Sequence, residues 1–496
     1  MNSTYNDAGT FEGLRLRIAV IGCGHVGLVT GICLASIGHH VTCVDHDTER
    51  IRLLEEGRLP LYESHLDELF LRSRGAHALA LARDSGNAAK DAEVVFLCVG
   101  VPQLENGDSD FSSLDTAARQ IAQAVDTSKL IVVRSTVPVQ TGEQLVHLLS
   151  VYRRNRDVSF SVASNPQFLR EGSAVEDFLH ADRILLGVED SASERTLRSI
   201  YAPLLEQNFH CPVHLERCPT RKPPELLLTN IHSAELIKYA SNAFLAVKIS
   251  YANVLADLCE RLRADVEEVT RAVGLDPRIR PGFLEAGLGF GGSRLPKDLR
   301  AFCRLTERTG VEGGILHAAE EVNRSRIDLF FNKVQCSLWV LNDKRIGLLG
   351  LAHKADTDDI RGSPAIELFK RFTAAGAQVR AYDPRAISQA RRAYPDMMCG
   401  AAALDVAEGA DALVVATDWE EFLKLDWRRV HDVMARPTVF DGRNLLSLLS
   451  TFGPLLSSTL FFESQALKGM SGCNADVRTC ARLAEVISKH DFDVLF

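Results

Sequence analysis

Short apolar runs alternate with longer amphipathic stretches through the first two hundred residues. Arg17–Ile21 reads as a strand; it is followed by glycines and a stretch with helical spacing, and Val41–Val44 is a second strand that ends at Asp45. That is a βαβ unit. Further strands are predicted at Glu93–Val99, Leu130–Val133 and Ile184–Val188, with helix-length segments such as Leu114–Val125 between them. This rhythm argues for a parallel, doubly wound sheet.

Past the proline-rich stretch Pro219–Pro224, apolar residues recur every three or four positions from Ser233 to Arg263 with no internal proline, which predicts a long connecting helix. A Gly/Pro-rich segment, Gly274–Pro296, interrupts the helical region, and helix is predicted again from Leu299 to Trp339. Strands then return at Arg345–Gly350, Gln378–Tyr382, Ala412–Ala416 and Thr438–Phe440. The expected fold is α/β: two Rossmann-like doubly wound domains joined by a central long helix and a helical dimerisation region. The expected boundaries are a tail at 1–14, a dinucleotide-binding domain at 15–215, a helical domain at 216–335, a second Rossmann-like domain at 336–450 and an extension at 451–496. The extension holds a serine-rich apolar segment and a final helix-like region.

Composition narrows the function. The chain has 496 residues, 46% apolar and 24% charged, which excludes global disorder and fibrous repeats. Its net charge is −9, and the basic residues are spread along the chain, so nucleic acid is not an expected partner. Met1–Gly13 is polar and no apolar run approaches the ~20 residues of a membrane helix, so no membrane association is expected and the cytoplasm is the expected location. The twelve cysteines form no CxxC pair and no Cys/His spacing suited to zinc, so no metal is expected. Cys43 and Cys98 lie in apolar strand-like runs, where reduced thiols pack as small hydrophobes.

Gly22-Cys-Gly24-His-Val-Gly27 matches G-x-G-x-x-G directly after a strand and at the start of a helix. The glycines permit a tight turn, a close approach of backbone to pyrophosphate and close helix–strand packing. Asp45 closes the second strand where a carboxylate accepts the adenosine ribose hydroxyls and repels a 2′-phosphate. NAD is therefore expected over NADP. The competing reading is a glycine turn in a nucleotide-free α/β domain.

From Ile18 to Arg443 the order of motifs resembles the UDP-glucose/GDP-mannose dehydrogenase family: GCGHVG, LPLYE (Leu59–Glu63), STVPVQTG (Ser135–Gly142), SNPQFLREG (Ser164–Gly172), AELIKYASNAFLAVKIS (Ala234–Ser250), GFGGSRLPKD (Gly289–Asp298), GLAHKADTDDIRGSP (Gly350–Pro364) and FDGRN (Phe440–Asn444). The resemblance implies NAD in the first Rossmann domain, a nucleotide-diphosphate sugar in the second, a homodimer through the central helix, and oxidation of a sugar primary alcohol twice to the acid. It assigns catalysis to Thr136, Lys238, Asn242 and Asp298. It assigns NAD binding to Gly22, Gly24, Val26, Gly27, Asp45, Arg50, Thr136, Glu171, Lys297 and Arg361. Phe168, Leu169, Lys238, Asn242, Arg278, Phe283, Gly291, Lys354 and Arg443 match substrate contacts, with Arg278 reaching across the dimer. Cations suit a diphosphate, although each one taken singly also reads as a surface charge.

Two family positions are altered. The thiol of GGSCxPKD is replaced by Arg294, and the glutamate of NPEFL by Gln167. The second oxidation needs a thiohemiacetal and then hydrolysis of a thioester, so both changes fall on the second half-reaction. Lys238 and Asn242 are four apart on a predicted helix, share a face and are expected to stabilise a developing alkoxide. Asp298 takes the proton through a water that Thr136 holds. Three readings are open for Arg294: it pairs with Asp298, it contacts substrate, or it is neutral drift in an inactive homologue. His353 and Val101 also depart from the family pattern, where phenylalanine and threonine are usual. The expected activity is one two-electron oxidation of a nucleotide sugar to a carbonyl, most simply a secondary alcohol to a ketone, as in the GDP-octoses of lincosamide antibiotics. Alternatives are a primary alcohol taken only to the aldehyde, an epimerase that uses bound NAD, and a catalytically silent binding subunit.

Overall fold

A computed structural model describes residues 15–104, 108–209, 211, 222–446 and 493–495. The predicted tail, the start of the proline-rich stretch and nearly all of the C-terminal extension lie outside the described residues. The chain divides into two compact units, Met1–Tyr239 and Ala240–Phe496, and the division falls within the long helix.

The first unit is built on eight strands: β1 Arg17–Ile21, β2 His40–Val44, β3 Leu79–Ala82, β4 Val94–Leu97, β5 Lys129–Val133, β6 Phe160–Ser164, β7 Arg183–Gly187 and β8 Glu225–Thr229. Their order in the sheet is β3-β2-β1-β4-β5-β6-β7-β8. Neighbours are parallel except β6 and β7, which meet antiparallel at Ser164 and Gly187. Helices cover both faces, so central strands are apolar throughout: every residue of β4, Val-Val-Phe-Leu, is buried. Two apolar clusters, one containing Ile32, Phe70 and Leu186 and the other Leu114, Ile131 and Leu145, form its core.

The second unit holds β9 Arg345–Leu349, β10 Gln378–Tyr382, β11 Met398–Cys399, β12 Ala412–Val415, β13 Thr438–Asp441 and β14 Asp493–Leu495. All neighbours are parallel in the order β11-β10-β9-β12-β13-β14. Both units therefore contain the 3-2-1-4-5-6 arrangement of a doubly wound nucleotide fold. The α/β class with two Rossmann-like sheets and an intervening helical region agrees with the sequence reading.

The long helix spans Ile231–Leu262 and ends where Arg263 turns left-handed at φ 64°. The single helix expected from Leu299 to Trp339 is two, Leu295–Thr309 and Gly314–Leu338. Gly310 at φ 69° ends the first, and the N–H groups of Gly310 and Val311 return to the carbonyls of Glu307 and Thr306. Amphipathic spacing on either side of this four-residue break hid it. No helix among the described residues is long and apolar enough to cross a membrane. Cys23, Cys33, Cys43 and Cys98 are buried free thiols around the first sheet.

Candidate functional site

The loop after β1 has the shape its glycines require. Gly22 sits at φ +100°, and a Cβ there would lie 2.8 Å from the Cys98 carbonyl oxygen. A Cβ on Gly27 would collide with the Gly22 carbonyl, whereas Gly24, which precedes the helix His25–Ser36, faces open space. Val26 packs on the core behind the loop. The result is a backbone cradle at a helix N-terminus with room for an anion. Asp45 is buried; its Oδ2 accepts the Cys23 N–H at 2.7 Å and Arg50 at 2.7 Å, and its Oδ1 accepts the Asp47 N–H at 2.9 Å. Burial pushes this carboxyl up, but the Asp47 N–H, Arg50 and the Cys23 N–H outweigh it and hold it below the usual range. It is an ionised acceptor beside the glycine loop.

The LPLYE and NPQFLREG motifs meet on the same side of this unit. Glu63 is fully buried and accepts the N–H groups of Gly172 (2.9 Å) and Ala174 (2.8 Å), while His25 Nε2 lies 2.6 Å from it. The start of the glycine-loop helix is thus tied to the loop that carries Gln167, Phe168, Leu169 and Glu171. Asn165 anchors that loop from beneath, receiving Arg134 and the Tyr201 hydroxyl and donating to the Leu185 carbonyl. Gln167 is buried, and its Oε1 accepts the Leu169 N–H at 2.7 Å. Phe168 is flanked by two cations: Lys238 Nζ is 5.0 Å and the Arg183 guanidinium 4.0 Å from its ring centroid. Thr136 is half-buried in the segment after β5, next to Ser135, whose hydroxyl donates to the Val99 carbonyl at 2.6 Å.

In the second unit, Asn242 donates through Nδ2 to Asp298 Oδ2 at 2.6 Å. Asp298 is completely buried in the first turn of the helix Leu295–Thr309; among the described residues its Oδ1 accepts no hydrogen bond, and it lies 3.6 Å from Lys297 Nζ. The Asn242 side chain thus contacts the Asp298 carboxylate directly. Arg294 is half-buried at the N-cap of that helix. The preceding GFGGS loop is fixed by its glycines: Gly291 is closed by the Gly362 carbonyl, and a Cβ on Gly292 (φ +82°) would lie 2.8 Å from His353 Nε2. His353 Nδ1 is 3.0 Å from the Asp359 carbonyl. Arg443 spans the same region, donating to the carbonyls of Ala416 (3.0 Å), His353 (3.0 Å) and Gly289 (3.4 Å).

The remaining residues are less gathered. Lys354 is half-buried and reaches the Ala355 carbonyl at 3.4 Å. Arg361 is exposed and paired with Asp359 at 2.7 Å, and Arg278 is exposed and paired with Asp276 at 2.6 Å. Phe283 is half-buried at φ 66° in the same loop as Arg278. Sequence reading did not single out Glu63, Arg183 or Glu235; Glu63 and Glu235 lie inside motifs that already stood out, whereas Arg183 lies in none. It also missed a grouping of Cys303, His317 and Glu320, whose ligand atoms lie within 4.8 Å of one another. Glu320 is already paired with Arg300 at 3.0 Å, and His317 is 3.6 Å from Glu307.

Three family descriptions cover most of the chain: the UDP-glucose/GDP-mannose dehydrogenase NAD-binding domain over residues 16–205, the central domain over 232–325 and the UDP-binding domain over 347–448. A UDP-glucose 6-dehydrogenase of Rickettsia bellii is 38% identical over 434 residues, 87% of this chain and 96% of that protein. A solved UDP-glucose dehydrogenase from Pyrobaculum islandicum is 34% identical with a TM-score of 0.79, covering 87% of this chain and 95% of that one. A UDP-D-ManNAc dehydrogenase structure from Pyrococcus horikoshii is 27% identical with a TM-score of 0.74, covering 87% of this chain and 96% of that one. With its glycine cradle, buried ionised Asp45 and three matched domains in order, the chain belongs to the UDP-glucose/GDP-mannose dehydrogenase family, as an NAD-dependent nucleotide-sugar dehydrogenase acting on CH–OH donors.

Proposed function

We propose that this protein removes two electrons from a nucleotide-activated sugar alcohol and stops at the carbonyl, a secondary alcohol going to a ketone. The observation that carries this reading is the pair Arg294 and Gln167 at the positions where the family resemblance gives a cysteine and a glutamate. An arginine cannot form a thiohemiacetal, and Gln167 has no basic carboxylate, its amide oxygen being engaged by the Leu169 N–H. A ketone needs neither group, because its carbon carries no second hydrogen to lose. A sugar with an extended side chain, of the GDP-octose kind, offers the secondary carbinol this logic asks for.

The residues that the first oxidation asks for are retained in the sequence. Gly22, Gly24, Val26, Gly27, Asp45 and Arg50 hold the dinucleotide, with Thr136, Glu171, Lys297 and Arg361 as further contacts; NAD supplies the hydride acceptor. Lys238 steadies negative charge on the reacting oxygen. Asn242 occupies Asp298 Oδ2, so Oδ1 is the atom that receives the proton. Phe168, Leu169, Phe283 and Gly291 shape the sugar side, and Arg278, Lys354 and Arg443 supply charge for the diphosphate. A homodimer is supported by the exposed apolar residues Phe244, Tyr251, Leu258 and Leu262 along the long helix. The test is the ratio of NADH formed to sugar consumed. One NADH per sugar with no acid product is expected. Two would overturn the reading, and none with an isomerised sugar would mark an epimerase.

A further inference from the structure

Glu235 is a buried carboxylate on the long helix, three residues before Lys238, and neither the cradle nor the proposed chemistry uses it. Its two oxygens are divided between two backbone donors: Oε2 accepts the Gln140 N–H at 2.7 Å and Oε1 the Gly142 N–H at 2.9 Å. Those amides open the helix Thr141–Tyr152, where Gln140 turns left-handed at φ 79° and its own side chain makes no cap. A carboxylate from a different helix therefore satisfies this helix start. Gly142 leaves no slack, since a Cβ there would lie 2.5 Å from Ile231 Cγ2 and 3.4 Å from Glu235 Oε1. The segment Ser135–Gly142, which carries Thr136, is thus fastened to the helix turn leading into Lys238.

Burial pushes the Glu235 carboxyl up to about 7, against the downward pull of the Gly142 and Gln140 N–H groups and His232, with Glu143 adding to the rise. His232 and Glu143 face each other at 3.2 Å beside it. The sign follows from linkage: between its unfolded value of 4.5 and about 7 the folded chain holds a proton that the unfolded chain has lost, so this group's contribution to stability falls as pH rises through that window.

We propose that Glu235 is a positioning residue for the dehydrogenation: by gripping the N–H groups of Gln140 and Gly142 it holds the Thr136 segment in register with Lys238. The inference rests on Lys238 and Thr136 serving the reaction as proposed above. Glu235→Gln keeps the size but turns an amide donor toward one of those N–H groups. The expected result is a kcat about tenfold to a hundredfold lower, with the KM for NAD nearly unchanged. A wild-type pH limb near neutrality should also be absent from the variant, and Glu235→Asp should restore part of the rate. A variant with wild-type kcat and the same limb overturns the proposal. If the wild type oxidises no nucleotide sugar, the functional reading fails, and the emission of bound NADH judges Glu235 separately. That emission should change through pH about 7 in the wild type and stay flat in Glu235→Gln; identical profiles overturn the proposal.

Discussion

The two sheets repeat one design and use it differently. β1 and β9 are each followed by a glycine with positive φ, Gly22 at +100° and Gly350 at +94°, and β2 and β10 each run into a buried aspartate, Asp45 and Asp383. Asp383 accepts the N–H groups of Leu351, Ala352, Arg385 and Ala386 and the indole N–H of Trp419. Among the described residues Asp45 accepts the N–H groups of Cys23 and Asp47 and the Arg50 side chain, with His46 Nδ1 3.5 Å from its Oδ1. A carboxylate has about four lone-pair sites, so Asp383 is saturated by its own fold while Asp45 keeps capacity for a ligand. The loops agree: Gly22-Cys-Gly24 leaves open backbone, whereas Gly350-Leu-Ala-His-Lys fills the equivalent turn with side chains. The same acid at the same place in the same topology keeps acceptor capacity in one unit and is a structural knot in the other.

The strongest way to break this comparison is Asp383→Ala, which strands several buried donors. We expect a loss of about 4 kcal/mol in chemical denaturation, and a loss below about 1 kcal/mol would refute the knot. Next is Lys238→Ala, which separates the reaction from both cradles. Turnover should fall by about 10²–10³, roughly 3–4 kcal/mol, while NAD binding measured by calorimetry stays within about threefold. Asp45→Ala should weaken NAD by about tenfold and reduce discrimination against NADP. Wild-type preference for NADP would contradict the role of Asp45. The smallest effect is acid sensitivity. Because Asp45 is held below its unfolded value of 3.8, its contribution is complete above about pH 4 and disappears as pH falls through its native value. Asp45→Asn should flatten the stability curve below about pH 4 by less than ~1 kcal/mol, since Arg50 is partly exposed to solvent.

Most interior strands and the long helix were legible because burial on both faces writes continuous apolar runs and a helix writes its 3.6-residue period; the interior strand β6, Phe-Ser-Val-Ala-Ser, was not, because its two serines interrupt the apolar run. The edge strands were not: β3 is only Leu-Ala-Leu-Ala, and β8 is mostly half-exposed, so neither shows a buried run. In the site, the glycines and Asp45 could be read from spacing. That Asn242 grips Asp298, that Phe168 lies between Arg183 and Lys238, and that Glu235 caps a distant helix could not, because each joins residues tens of positions apart or turns on side-chain direction.

The buried thiols have a practical consequence. Cys43 and burial push the Cys23 thiol up, and burial drives Cys33 up as well and takes Cys98 to about 12, so none of them is a thiolate near neutrality. Cys211, Cys336 and Cys399 are partly exposed. Among the described thiols an alkylating reagent will therefore mark those three first and reach the glycine-loop thiols only when the first sheet opens. Labelling of Cys23 becomes a clock for that opening, and a dinucleotide that settles on the loop will slow it without any assay of turnover.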